Sequence, residues 1–156
     1  MSDNVLAIIE VSQPRRWIGV GMHYFIGLLL IYLGWFSSLG VLFKMMLICL
    51  GFCMFWAGKR MYNATTGWLE FTENGLFNEK GEVVVLLKNI VGIDRGIFAF
   101  KPSNGFLITL KSPNKFSWEP GLWWRIGRRL GVGGVTHVGQ AKVVADLISI
   151  KLKRLN

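Results

Sequence analysis

Few residues in this chain have a type and spacing that could perform catalysis or hold a metal. Cys49 and Cys53 are four residues apart and share a face in a helix, but two thiols with no nearby His cannot complete a metal site. His23 lies within an apolar stretch, where it could ligate a cofactor, carry a proton or bond a backbone carbonyl. The serines of the C-terminal half follow no nucleophile-elbow pattern. We therefore expect a protein that is not an enzyme and has no cofactor or metal.

The glycine-rich sequence GVGGVT, residues 131–136, has part of the composition of a phosphate-binding loop. A P-loop requires Lys directly before its Ser or Thr, whereas Val135 precedes Thr136 here. A dinucleotide-binding loop requires a strand–helix–strand context, which strand-rich surroundings do not offer. We predict that this segment is a tight connection into the last helix.

Three Trp and three Arg lie close together just before this glycine-rich segment. If residues 122–130 form a helix, Arg125, Arg128 and Arg129 fall on one face, opposite apolar side chains. Such a helix suits a membrane surface, because its apolar side enters the headgroup region while its cations reach phosphate. The alternatives are Trp packing on the sheets with solvated Arg, a protein partner, or stacking on single-stranded nucleic acid. The sequence thus predicts a membrane-surface or partner contact at Trp118, Trp123, Trp124, Arg125, Arg128 and Arg129.

Two long apolar segments precede this region. Residues 17–35 contain no charge, and residues 41–58 contain one charged residue, Lys44, near their start. At about 1.5 Å per residue, each segment comes close to the ~30 Å thickness of a hydrocarbon core. The connection, residues 36–40, is so short that the two helices must form an antiparallel hairpin. Close approach of the two backbones is expected at small residues, here Gly19, Gly21, Gly27, Gly34 and Gly51.

Cations flank the hairpin on one side only. Arg15 and Arg16 precede the first segment, Lys59 and Arg60 follow the second, and the connection is uncharged. By the positive-inside rule these four residues set the topology and place both termini in the cytoplasm. Residues 101–156 carry ten Lys or Arg against two Asp or Glu, a net charge of +8. On a membrane-attached chain this charge suits anionic phospholipid headgroups, and we expect no nucleic-acid partner.

After the hairpin the hydrophobic period changes from helical to alternating. Seven short strands are expected, at residues 68–72, 76–78, 82–87, 89–94, 96–101, 106–111 and 115–118, with a turn at 112–114 between the last two. Val138–Leu155 is helical in period, with one apolar stripe opposite polar side chains. This order predicts a small antiparallel barrel or sandwich closed by an amphipathic helix. Residues 5–14 could add an edge strand or lie along the interface.

A two-helix hairpin, the stretch GWLEFTENGLFNEKGEVVVLLKNIVGID at residues 67–94 and a closing helix follow one another in this chain. In this order they resemble bacterial membrane-anchored proteins with a pleckstrin-homology-like (PH-like) domain. The resemblance implies an α+β membrane protein with a cytoplasmic N-terminal segment (1–16), a transmembrane hairpin (17–58) and a cytoplasmic PH-like domain (67–156). It also implies a binding module rather than an enzyme. The Trp- and Gly-rich insert between the last expected strand and the helix departs from that pattern.

Two functions follow as hypotheses. In the first, a non-enzymatic protein of the bacterial inner membrane uses its PH-like domain to bind anionic phospholipid headgroups. In the second, it is an accessory or assembly subunit that contacts other integral membrane subunits through the hairpin and the Trp/Arg-rich segment. Both predict a two-pass membrane protein.

Overall fold

The structure, a computed structural model, describes residues 4–38, 40–96 and 101–155. The elements, in chain order, are strand β1 (Val5–Ile9), helices α1 (Gln13–Phe36) and α2 (Val41–Ala64), strands β2 (Leu69–Thr72), β3 (Gly75–Asn78) and β4 (Val83–Leu86), a short 3-10 helix (Leu87–Asn89), strands β5 (Ile90–Asp94), β6 (Phe106–Glu119) and β7 (Trp123–Val132), and helix α3 (Val138–Leu155).

Helices α1 and α2 coincide with the two apolar segments of the sequence. Each has 24 residues, and their best windows have mean hydropathies of 1.6 and 2.0, so both are long and apolar enough to cross a membrane. Only 17% and 11% of those windows are buried within the protein. The outward side chains include Phe25, Trp35 and Phe52, all exposed. This distribution differs from that of a core helix in a soluble protein, which buries its apolar face.

The two helices approach each other at glycines. A Cβ atom at Gly51 would lie 2.9 Å from the carbonyl oxygen of Gly27, and one at Gly34 would lie 3.0 Å from that of Lys44. Gly19 faces the Met61 side chain of α2. These positions confirm the expected close approach, but Gly21 has open space around it and its assignment was wrong.

The strands form two antiparallel sheets, one in the order β1-β2-β3-β4 and the other in the order β5-β6-β7. In the described residues these sheets do not close into a barrel. Strand β1 precedes the hairpin but pairs with β2, which follows it, with Ile9 opposite Leu69. The N-terminal segment, which the sequence left undecided, therefore supplies an edge strand. The α+β class, the antiparallel sheets and the closing helix are as expected.

The core lies between the sheets and α3. It includes the fully or almost fully buried side chains of Leu69, Phe71, Leu76, Ile108, Leu130, Val144, Ala145 and Ile148. The last three lie on the apolar stripe expected for α3, which is confirmed. The same cluster continues into the hairpin through Val20 and Met61, so the sheets pack directly on the helix ends.

Two local predictions were wrong. Residues 112–114 are not a turn: β6 passes through them with register irregularities on both sides, where Pro113 can be accommodated despite lacking an N–H. Residues 122–130 are not a helix: β7 begins at Trp123 and pairs with β6, and residues 120–122, with Gly121 at φ +87°, form the turn between the strands. The expected strand at 96–101 lies largely outside the described residues.

Candidate functional site

Strands β6 and β7 form a long ribbon that folds back on itself. The turn between β6 and β7 contacts the segment that follows β7. The N–H of Gly133 donates to the carbonyl of Leu122 and the N–H of Val135 to the carbonyl of Gly121, both at 2.9 Å. Register irregularities between Thr109 and Ser117 mark the bend. On the opposite strand, Gly127 has φ +57°, a conformation that favours glycine. We call residues 111–116 and 126–129 the ribbon bend.

The ribbon bend combines positive charge with exposed apolar side chains. Phe116 and Ile126 are 63% and 57% exposed. The exposed cations of the same two segments are Lys111, Lys115, Arg128 and Arg129. Neither segment of the bend contains Asp or Glu. This arrangement can bind phosphate groups through its cations while the two apolar side chains enter a headgroup region.

The six residues predicted as one contact surface are divided among different environments. Trp123 is only 7% exposed and belongs to the core. Trp124 is half-buried and covers Gly131, and Trp118 is half-buried with the guanidinium of Arg60 5.0 Å from its ring centre. Only Arg128 and Arg129 are exposed. The structure thus brings no continuous Trp/Arg face together, because strand alternation replaces the helical spacing on which that face depended.

Arg125, the remaining member of that set, links the two sheets. Its Nε donates to the carbonyl of Lys115 at 3.0 Å, and its Nη1 donates to that of Val84 on β4 at 2.5 Å. Its guanidinium carbon is 5.7 Å from the Trp123 ring centre. Burial lowers the pKa of Arg125, but a guanidinium remains protonated at any physiological pH. Arg125 is therefore a permanently charged, half-buried link between the two sheets.

Two of the four cations flanking the hairpin attach it to backbone outside the hairpin, and a third joins its two helices. Arg15 donates to the carbonyl of Thr136 at 3.2 Å, and Arg60 donates to that of Trp118 at 3.0 Å. Arg16 donates to the carbonyl of Tyr62 at 3.2 Å and lies 4.4 Å from the centre of its ring. Lys59 is exposed. Sequence reasoning missed these hydrogen bonds, because their acceptors are backbone carbonyls. A backbone carbonyl is present at every residue, so the sequence does not mark the ones that accept.

The residues considered for catalysis or metal binding are not assembled into a site. His23 Nδ1 lies 2.7 Å from the carbonyl oxygen of Gly19, within its own helix. Cys49 and Cys53 are free and exposed on α2. Among residues 4–38, 40–96 and 101–155 no three His, Cys, Asp or Glu side chains are grouped to hold a metal. The glycine-rich segment ends β7 and leads into α3, with Gly133 and Gly134 at positive φ.

The exposed residues that sequence reasoning missed are Phe116, Lys111 and Lys115. The Pro120–Gly121 dipeptide was the available signal, because it is typical of a turn between two strands. No protein-family model, curated protein or solved structure matches this chain. The candidate site therefore rests on its own geometry and charge.

Proposed function

We propose that this chain is a non-enzymatic protein of the bacterial inner membrane whose sheets bind the anionic phospholipid surface. Helices α1 and α2 span the bilayer with both termini in the cytoplasm. The sheets and α3 form the PH-like module that the sequence resembles. The observation that carries the proposal is the ribbon bend, whose paired strand segments present two exposed apolar side chains and four exposed cations.

The connections between helices and sheets support a position at the membrane surface. Three residues separate β1 from α1, and four separate α2 from β2. Val20 and Met61 belong to the helices and share one buried cluster with Val135 and Leu122. A tether this short holds the sheets against the headgroups, so the ribbon bend sets the orientation of the module rather than attaching the protein.

The energetics of the bend are sufficient for that role. Each Lys or Arg near an anionic surface contributes about 1 kcal/mol, and the contribution falls off within a Debye length of ~8 Å at physiological salt. Removing two of the four cations should thus lower the docking equilibrium about 30-fold. The contact should also weaken as salt is raised.

A fluorescence experiment on the full-length protein tests docking of the ribbon bend. A probe is attached to Ser112→Cys, in a background with Cys49→Ser and Cys53→Ser, and the protein is placed in nanodiscs containing quencher-bearing lipids. We expect quenching in nanodiscs with phosphatidylglycerol, but much less in pure phosphatidylcholine or at high salt. Combining Arg128→Gln with Arg129→Gln should release the probe. The matched control is a probe at Val143→Cys, an exposed apolar position on α3 outside the bend.

Equal quenching at both positions, or none in anionic nanodiscs, would contradict docking of the bend. Purification of the tagged protein in mild detergent addresses the accessory-subunit hypothesis. A stoichiometric set of other membrane subunits, together with photocrosslinks from position 116 to protein instead of lipid, would favour that second function.

Accessibility of introduced cysteines tests the topology in intact cells. A cysteine at Ser38, in the connection between the helices, should be labelled from outside. A cysteine at Ser103, in the turn before β6, should be labelled only from the cytoplasm. The reverse pattern would overturn the proposed orientation.

A further inference from the structure

A cavity of about 520 Å³ lies where three elements meet: the last turns of α2, the turn between β3 and β4, and the turn between β6 and β7. Charged residues of both signs line it: Lys59, Arg60, Lys80, Glu79, Glu82 and Glu119. Since half are basic and half acidic, the cavity differs from the ribbon bend, which contains no acid.

The charges around this cavity do not neutralise one another. The ion pairs in the described part of the chain join Arg95 to Asp146 and Lys151 to Glu73, all outside the cavity. Among the lining residues, Arg60 donates to a backbone carbonyl and Glu82 accepts from Asn78. Separated charges of both signs around an open space complement a ligand that itself carries both signs.

An exposed apolar stripe on α2 leads to this cavity. Met45, Phe52 and Trp56 are exposed and lie at spacings of seven and four residues, so they share one helix face. Trp56 also lines the cavity, one turn before Lys59 and Arg60. In the proposed membrane placement this stripe contacts acyl chains, and Trp56 lies at the interface, where Trp is favoured.

The charges follow a definite order away from the stripe. Lys59 and Arg60 lie three and four residues after Trp56, one turn further along α2. The Glu79 carboxylate lies against Gly67, which follows the end of α2. Moving away from the bilayer along this side of the cavity, the order is therefore apolar Trp56, basic Lys59 and Arg60, and acidic Glu79. A phospholipid with an amino-terminated headgroup presents acyl chains, phosphate and ammonium in the same order.

We propose that this cavity binds the headgroup of a phospholipid that carries a phosphate and a primary ammonium. The phosphate faces Lys59 and Arg60, the ammonium faces Glu79 and Glu119, and the acyl chains lie along the stripe. Carboxylates accept hydrogen bonds from a primary ammonium, which a quaternary choline cannot donate. This inference rests on the proposed placement of α2 in the membrane and is independent of docking by the ribbon bend.

Native mass spectrometry of the full-length protein in detergent tests the site. The delipidated protein is titrated with phosphatidylethanolamine, phosphatidylcholine and phosphatidylglycerol of identical acyl chains. We expect phosphatidylethanolamine to bind about tenfold more tightly than the other two, the difference expected for charge-assisted hydrogen bonds. Combining Glu79→Gln with Glu119→Gln should abolish this preference, and Lys59→Gln should weaken binding of all three lipids. Combining Glu73→Gln with Asp146→Asn removes two carboxylates that lie outside the cavity and the ribbon bend; it is the control and should change neither.

Soluble phosphoethanolamine distinguishes a lipid from a free ligand. We expect it to displace the lipid only at much higher concentration, because it has no acyl chains to cover the stripe. Displacement at equal concentration would overturn the lipid assignment. Equal binding of the three lipids, a preference for phosphatidylglycerol, or a preference that survives in the glutamate variants would overturn the zwitterionic site. None of these results alters quenching at Ser112, so failure of the cavity and failure of the ribbon bend are distinguishable.

Discussion

The helical hairpin and the sheets are packed by opposite means. In the hairpin, glycines such as Gly27 and Gly51 bring two backbones together, and large side chains such as Phe52 point outward. In the sheets, large side chains such as Phe71 and Ile108 are fully buried. Burial from water drives the second kind of packing, whereas lipid gives helices no such drive and close backbone contact replaces it. The contrast is the one expected of a chain whose hairpin crosses a membrane, as proposed above, while its sheets lie in water.

The largest expected effect comes from removing side-chain volume in the sheets. Phe71→Ala should lower the free energy of unfolding by about 3–5 kcal/mol, since it leaves a cavity in the core. Phe116→Ala, which truncates an exposed Phe on the ribbon bend, is the matched control and should change it by less than about 0.5 kcal/mol. Denaturant unfolding of the full-length protein in detergent measures both. Equal effects of the two substitutions would contradict the inference that buried side-chain volume stabilises the sheets.

Adding volume in the hairpin should have the next largest effect. Gly51→Ala places a methyl group against the Gly27 carbonyl and the Ile31 side chain, so the helices must separate, at a cost of about 1–3 kcal/mol. Gly21→Ala is the control because its Cβ would enter open space. Disulfide trapping between cysteines introduced on the facing helices reports their separation. An unchanged rate of disulfide formation in Gly51→Ala would show that close contact of the two backbones does not determine the distance between the helices.

The link between the two sheets should contribute less. Arg125→Leu removes donors to Val84 and Lys115, and we expect a loss of about 1 kcal/mol in unfolding free energy. Arg128→Leu changes an exposed Arg of the same strand and should have little effect on stability. Thermal unfolding of both variants compares them directly. A larger loss in Arg128→Leu would contradict the assigned roles.

The smallest effect is expected at the surface. Glu73→Gln breaks the exposed ion pair with Lys151, which joins α3 to the turn between β2 and β3. Such pairs contribute about 0–1 kcal/mol, and salt screens them. The difference between Glu73→Gln and wild type should therefore shrink further at high salt. A difference that grows with salt would show that the pair is not electrostatic in origin.

The sequence was sufficient wherever a local period is strong. Hydropathy located α1 and α2, and the stripe through Val144 and Ile148 located α3. Glycine-containing turns located β2, β3 and β4. The same reasoning failed for β7. Its Trp, Arg and Leu residues are spaced in a way that fits either a helix or a strand, and only the pairing with β6 distinguishes the two.

The candidate sites depend on contacts that are not local. The ribbon bend is visible only once Phe116 and Ile126 are known to lie on paired strands. The cavity at Lys59 combines side chains from three elements, with Glu119 sixty residues away along the chain. Spacing along a sequence does not show which distant residues come into contact in the fold. Two of the exposed cations, Arg128 and Arg129, were therefore predicted from the sequence, but neither site was predicted as a whole.

The pairing of β1 with β2 has a mechanical consequence. These strands continue directly from the two ends of the hairpin, so a vertical sliding of α1 past α2 would pull one strand along the other. A slip by one residue, about 3.3 Å, turns every side chain of a strand to the opposite face of its sheet. Ile9 would then leave the core. In the proposed membrane placement, pairing of β1 with β2 would thus fix the relative depth of the two helices in the bilayer.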